Sequence, residues 1–197
     1  MYKRQELVIN FYNERRKQLL DVVPNAGHLG VADLERDFNV TVVTQNVDNL
    51  HERAGSTHVI HLHGELTKVC SSRDPYNPHF VKELAPEEYE VKLGDKAGDG
   101  TQLRPFIVWF GESVPEIETA IRYVEQADIF VIIGTSLNVY PAAGLLNYVP
   151  RAAEVYLIDP KPVDTHVMRP IHVIQKGASE GVKELKALLT VTQPPLP

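Results

Sequence analysis

The sequence predicts an α/β fold: a parallel sheet with helices on both faces, plus a small inserted lobe. Three observations lead there. Runs that are apolar throughout, such as Ile129-Phe130-Val131-Ile132-Ile133 and Val155-Tyr156-Leu157-Ile158, suit strands buried on both faces. Amphipathic stretches of helical period separate them, and that alternation is the mark of crossover-connected parallel strands. Between residues 71 and 104 the pattern dissolves into Pro, Gly and charge (RDPYNPHF, LGDKAGDGTQ), an excursion outside the sheet.

The elements follow in order. Residues 6–21 place Leu7, Val8, Phe11, Leu19 and Leu20 at roughly helical spacing, which predicts an amphipathic helix. Pro24-Asn25 breaks it and caps a second helix over 26–38. Val40 to Val43 reads as a buried strand, followed by a short helix from Asn49 to Ala54 that Gly55 ends. Val59 to Leu62 is the next strand. After the lobe, order returns with Pro105 to Phe110. A helix over 115–126, a strand over 128–133, a helix near 141–148, strands over 154–158 and 171–174, and a helix over 179–189 complete the alternation. The Pro-rich residues 193–197 read as a loose tail.

The bulk numbers exclude several classes. A chain of 197 residues with 43% hydrophobic and 23% charged content is ordinary for one globular domain. A net charge of -6 and a pI near 5.7 argue against nucleic-acid partners, because phosphate binding wants a basic face. The longest apolar run, Ile129 to Ile133, is far too short to span a bilayer, so no membrane partner is expected. A single cysteine, Cys70, excludes an internal disulfide and any multi-cysteine metal site. The simplest expectation is a cytoplasmic protein.

The chemistry sits where strands end. Thr44-Gln45-Asn46-Val47-Asp48-Asn49-Leu50-His51 follows one apolar run and His61-Leu62-His63-Gly64 another. Open parallel sheets handle ligands at such carboxyl ends. His63 is the natural base, since histidine titrates close to neutral pH, although a histidine picked at random is more often a packed or surface residue. His61 and His63 alternate along one strand, which puts both on one side, and Gly64 leaves room for a ligand. Gly134-Thr135-Ser136 closes another strand with a glycine and two hydroxyls, and a helix after Pro141 would aim its amide-rich end at the same crevice, as a phosphate requires. Asp159 ends a later strand. It either accepts ribose hydroxyls or serves as a turn residue before Pro160.

With those strings in place, the chain resembles the sirtuin family of NAD-dependent protein deacylases. TQNVDNLHERAG (44–55), HLHGEL (61–66), LRPFIVWFGE (103–112), GTSLNVYPAAGL (134–145) and KGAS (176–179) occur in family order and cover nearly all of residues 6–190. The resemblance implies a Rossmann-like sheet, NAD as cofactor, and acylated lysine peptides or proteins as partners. It implies His63 as the catalytic base. Gln45 and Asn46 would hold the nicotinamide ribose and Asp48 would bind the carboxamide, with Val47 also against the cofactor. Gly134, Thr135 and Ser136 would contact ribose and phosphate; Asp159, Pro160, Lys161 and Ala178 would surround the adenosine. Val108, Trp109 and Phe110 would form the edge that takes the substrate peptide by strand addition. Tyr12 and Arg15 resemble the pair of the branch that removes succinyl and malonyl groups. Their i, i+3 spacing puts a phenol and a guanidinium on one helix face, where they can hold a carboxylate. The competing reading is a solvated basic run, Arg15-Arg16-Lys17.

Two departures shape the expectations. The family's zinc lobe uses two Cys-x-x-Cys pairs, but here Cys70 is followed by Arg73, and Lys96 and Asp99 fall near the second pair. No metal is expected, and a lobe over 67–104 held by Tyr76, Phe80, Leu84 and Tyr89 is. The family's opening strand and glycine-rich loop are also not found in this sequence. The chain therefore reads as a single catalytic domain, 1–197, either truncated at its N-terminus or a short form that binds NAD poorly. The leading function is a desuccinylase and demalonylase that also deacetylates, yielding nicotinamide and O-acyl-ADP-ribose. The alternatives are an inactive fragment that keeps an acyl-peptide groove, and an NAD-dependent ADP-ribosyltransferase.

Overall fold

The computed structural model describes residues 4–135, 139–162 and 169–192. In chain order its elements are α1 (Gln5–Asp21), α2 (Ala26–Asp33), β1 (Val42–Thr44), α3 (Leu50–Ala54), β2 (Val59–His61), β3 (Gly64–Ser71), β4 (Lys82–Glu83), β5 (Leu103–Ile107), α4 (Ile117–Val124), β6 (Ile129–Ile133), β7 (Glu154–Ile158), β8 (His172–Ile174) and α5 (Ala178–Thr192). They divide into two compact units. The first runs up to Val23 and adds Thr44–Asn49 and His61–Pro115; the second holds Pro24–Val43, Leu50–Ile60 and the chain from Glu116 onward.

The second unit carries the expected α/β order. Strands β6, β7 and β8 form a parallel sheet in register, with Ile133 opposite Ile158 and Ile158 opposite Ile174. Its core joins Tyr156, Ile158 and Ile174 to Val31 and Leu34 and to Val182, Leu185 and Leu189 of α5. Helix α5 lies so close to the sheet that a Cβ added at Gly181 would sit 2.2 Å from Ile158 Cγ2. Helix α2 begins at a reciprocal cap: Asn25 Oδ1 accepts from Gly27 N at 2.8 Å, and Asn25 N donates to His28 Nδ1 at 3.3 Å. It ends at Asp33 and tightens into a 3-10 turn over Leu34–Arg36, short of the expected 38. Likewise Ala142–Tyr148 is a 3-10 segment rather than an α-helix, with Gly144 lowering the α preference at its centre.

The first unit is antiparallel. Strand β3 pairs with β4 on one side and β5 on the other, in the order β4-β3-β5. The lobe expected over 67–104 lies here, but its packing needs correction. Its buried cluster is Ile9, Val69 and Val91, with Leu84 and Leu103 against it. Of the four side chains expected to hold the lobe, only Leu84 belongs to this cluster. Helix α1 adds Ile9 to the cluster, and an amide that mimics a strand. Asn13 Nδ2 donates to Val91 O at 2.8 Å, while Val91 N donates to Asn13 Oδ1 at 3.0 Å. Arg16 is not part of a solvated run. It is 3% exposed and donates to Tyr89 O at 2.7 Å and to Asn13 Oδ1 at 2.6 Å. Burial lowers its pKa to about 10, which still leaves it charged at neutral pH.

Strands β1 and β2 form a separate pair. Val42 N donates to His58 O and Leu62 N to Thr44 O, so the two chains advance together and the pair is parallel.

Candidate active site

In the first unit, two polar segments are bound side by side. His63 Nδ1 lies 3.1 Å from Gln45 O, His61 Nδ1 lies 3.3 Å from Asn46 O, and Leu66 N donates to Val47 O at 2.7 Å. A carbonyl oxygen only accepts, so the His63 contact places the proton on Nδ1 and leaves the lone pair on Nε2. That is the tautomer a general base requires. Strand β2 ends at His61, so His63 sits in the following turn and not on the strand. Its ring is placed by the carbonyl of Gln45, not by strand alternation. Gln45, Val47 and Asp48 are half-buried and Asn46 is exposed. Asn46 N donates to Thr44 Oγ1 at 3.0 Å, which fixes the turn out of β1.

Gly64 has a different reason to be glycine than ligand space. Its φ is +83°, and an added Cβ would lie 2.1 Å from Phe106 O. The residue lets β3 pass against β5 next to His63, whose carbonyl accepts from Val108 N at 2.9 Å.

Strand β5 ends at Ile107, and Val108-Trp109-Phe110 forms a turn locked by one carboxylate. Glu112 Oε2 accepts from Trp109 N at 2.9 Å, and Glu112 N donates to Trp109 O at 2.9 Å. The backbone of Trp109 is thus bound at both its N–H and its carbonyl, and the Val108 N–H is given to the His63 carbonyl. Phe110 is 97% exposed. Arg104, buried beneath, holds Glu112 bidentately at 2.7 and 3.0 Å and stacks on the Trp109 ring at 3.5 Å. Burial pushes Glu112 up, but the Arg104 bonds and the Trp109 amide outweigh it and hold the carboxyl below its ordinary value. Sequence reasoning missed this pair, although Arg104 and Glu112 bracket the quoted LRPFIVWFGE string. Tyr12 on α1 is half-buried and accepts from Trp109 Nε1 at 3.2 Å. Arg15 is exposed, 5.8 Å over the Phe11 ring, with one bond to Gln18 Oε1 at 3.3 Å.

The residues at the family's zinc positions do not fit a closed zinc site. Cys70 is wholly buried with its thiol 3.8 Å from Pro105 O, and burial pushes it up to about 12. Asp99 is engaged elsewhere: it accepts from Ser71 Oγ at 2.7 Å, Thr101 Oγ1 at 2.7 Å and Thr101 N at 3.0 Å. These bonds, Ser71's first, lower its pKa from 3.8 to about 2. A carboxylate with a depressed pKa stabilises the fold above its unfolded value and loses that contribution as pH falls towards the folded one. Melting temperature should therefore drop between pH ~4 and ~2, and Asp99→Asn should flatten that part of a calorimetric pH series. An unchanged acid limb would mean the knot does not hold the lobe.

In the second unit, the parallel register brings the carboxyl ends of β6, β7 and β8 to one edge. Gly134 follows β6 with φ +61° and open space where a Cβ would stand. Thr135 is next to it, half-buried; Ser136 lies outside the described residues. Asp159 follows β7, and its Oδ1 accepts from Lys161 N at 2.8 Å, so it does close the turn through Pro160. Ala178 opens α5 at the same edge. A backbone that leaves room, a carboxylate and a helix N-terminus together fit a dinucleotide's adenosine and phosphates.

Such a sheet edge belongs to a nucleotide-handling α/β protein. Comparison sharpens this: the model of the Sir2 family matches residues 1–141. An NAD-dependent protein deacylase of Bacteroides thetaiotaomicron is 84% identical over 183 residues, which is 93% of this chain and 78% of the relative. A crystal structure of a Sir2 homolog–NAD complex superposes with a TM-score of 0.83 at 35% identity, covering 96% of this chain and 74% of that one. A Sir2–p53 peptide–NAD+ structure gives 0.72 at 26%, covering 89% and 74%. The chain belongs to the Sir2 family. Among the described residues, no helix is long and apolar enough to cross a membrane.

Proposed function

We propose that this Sir2-family chain acts as an NAD-dependent protein deacylase that prefers lysines carrying short acidic acyl groups, succinyl or malonyl, and also accepts acetyl. One observation carries the preference: Tyr12 and Arg15 share a face of α1, and the Tyr12 hydroxyl is anchored to Trp109 within the segment assigned to the substrate. A phenol and a guanidinium are the pair that grips a carboxylate through charge-assisted bonds.

When bound, NAD would supply the anomeric ribose carbon for attack by the acyl oxygen, with nicotinamide as the leaving group; with one water, the balanced products would be free lysine, nicotinamide and O-acyl-ADP-ribose. Gln45 and Asn46, with Val47 between Asn46 and Asp48, hold the nicotinamide ribose. Asp48 accepts from the carboxamide. Gly134, Thr135, Asp159, Pro160, Lys161 and Ala178 hold the adenosine half. His63 Nε2 takes a proton from a ribose hydroxyl, while the Gln45 carbonyl keeps Nδ1 protonated and the ring oriented. Val108 and Phe110 bind the peptide backbone.

The test compares succinyl-lysine and acetyl-lysine peptides with the double variant Tyr12→Phe, Arg15→Met. Losing a charged hydrogen bond and its neutral partner should lower the succinyl-to-acetyl ratio of kcat/KM by about 10- to 100-fold. An equal fall for both peptides would remove the carboxylate clamp.

A further inference from the structure

We propose that Trp109 is a positioning residue for acyl selectivity, its indole N–H turning the Tyr12 hydroxyl into a hydrogen-bond donor aimed at the acyl carboxylate. The inference rests on the clamp reading above and goes beyond it by naming what sets the clamp's polarity.

The indole nitrogen has a proton and no acceptor capacity, so in the 3.2 Å contact with Tyr12 the phenol oxygen must be the acceptor. The phenol's own proton is then free to be given to a ligand. A hydroxyl that accepts is also a better donor, because bonds in a chain polarise one another. The site is thereby fixed to welcome an acceptor. A carboxylate gains from it, and the methyl of an acetyl group does not.

The indole itself is held at its face by Arg104 and at its N–H by Tyr12. Arg104 lies 3.5 Å from the ring centroid, and Glu112 clasps both the Arg104 guanidinium and the Trp109 amide. On the far side of Tyr12, Phe11 meets its ring edge-on at 5.2 Å, and Arg15 stands over Phe11. The order Glu112, Arg104, Trp109, Tyr12, Phe11, Arg15 is an unbroken series of contacts within one unit. Its buried end is rigid. Its outer end is an exposed guanidinium that donates to Gln18 Oε1 at 3.3 Å and stands over the Phe11 ring.

The experiment removes the N–H and keeps the ring. Trp109→Phe, and Trp109→benzothienylalanine, where sulfur replaces the N–H in the same shape, are assayed on succinyl-lysine and acetyl-lysine peptides. The expected result is a five- to tenfold fall in the succinyl-to-acetyl ratio of kcat/KM, carried by KM for the succinyl peptide. Each combined with Tyr12→Phe should be no worse than Tyr12→Phe alone, since the N–H acts only through that hydroxyl. A merely structural tryptophan would lower both substrates together, and that outcome overturns the proposal. If Tyr12→Phe lowers the ratio while the isostere leaves it intact, the positioning role fails and the clamp stands. If Tyr12→Phe leaves the ratio unchanged, the clamp fails and takes the inference with it. Trp109 is the chain's one tryptophan, so its emission gives an independent readout. It should respond more to succinyl than to acetyl peptide, and the difference should vanish in Tyr12→Phe.

Discussion

Replacing His63 by alanine should lower NAD-dependent deacylation about 10²- to 10⁴-fold, the range expected when a positioned general base is removed. The geometry gives the reason. Nδ1 is bound to a backbone carbonyl at 3.1 Å, which fixes both tautomer and ring plane. The proton acceptor is then the lone pair on Nε2. The fold should survive, because the variant gives up one hydrogen bond worth about 1 kcal/mol. For a chain of this size that is a shift of roughly 2–4 °C in melting temperature. Calorimetry of NAD binding to the variant should still show the cofactor bound. His61 is the natural competitor, since it holds the neighbouring Asn46 carbonyl in the same way at 3.3 Å. Should His61→Ala abolish turnover while His63→Ala keeps more than a tenth of it, the base has been assigned to the wrong ring.

The parts of this molecule legible in its sequence are those with one dominant signal. Apolar runs at 129–133 and 155–158 became β6 and the buried part of β7 because a parallel strand covered on both faces has nowhere to hide a polar residue. Helix α1 fell within a residue of the expected span because Pro24 ends it. Strand β3 was not legible. Glu65, Thr67 and Lys68 interrupt its apolar content, since an antiparallel strand buries one face and wets the other. From sequence, this eight-residue strand reads as the edge of an irregular lobe. The same blind spot hid Asn13 and Arg16, whose partners Val91 and Tyr89 lie more than seventy residues away along the chain. No local period announces such pairs. The strand-end clusters at 45–48 and 61–64 were visible as chemistry, but the carbonyl contacts that select one tautomer belong to tertiary structure alone.

Gly64→Ala is expected to be the most damaging substitution of the smallest size. Two costs combine. A non-glycine residue at φ +83° carries about 1–3 kcal/mol of backbone strain. A methyl group 2.1 Å from the Phe106 carbonyl cannot be accommodated without moving backbone, for about 1–3 kcal/mol more. Together they come to roughly 2–6 kcal/mol, against a total stability of about 5–15 for a typical domain. Gly100→Ala separates the two, because Gly100 has nearly the same φ, +76°, with nothing within 4 Å of the added carbon. Denaturant melts should therefore place Gly64→Ala well below Gly100→Ala, and the gap measures the clash. The relief route matters for function. Gly64 opposes Ile107 in the β3–β5 ladder, and the adjoining His63 O–Val108 N bond joins His63, the proposed base, to the proposed peptide-binding segment. Any backbone shift that admits the methyl group must disturb that bond, so the folded fraction of Gly64→Ala should also turn over more slowly than its stability loss explains. Equal melting midpoints for the two alanine variants would mean the carbonyl moves aside freely, and that β3 and β5 do not fix the position of His63.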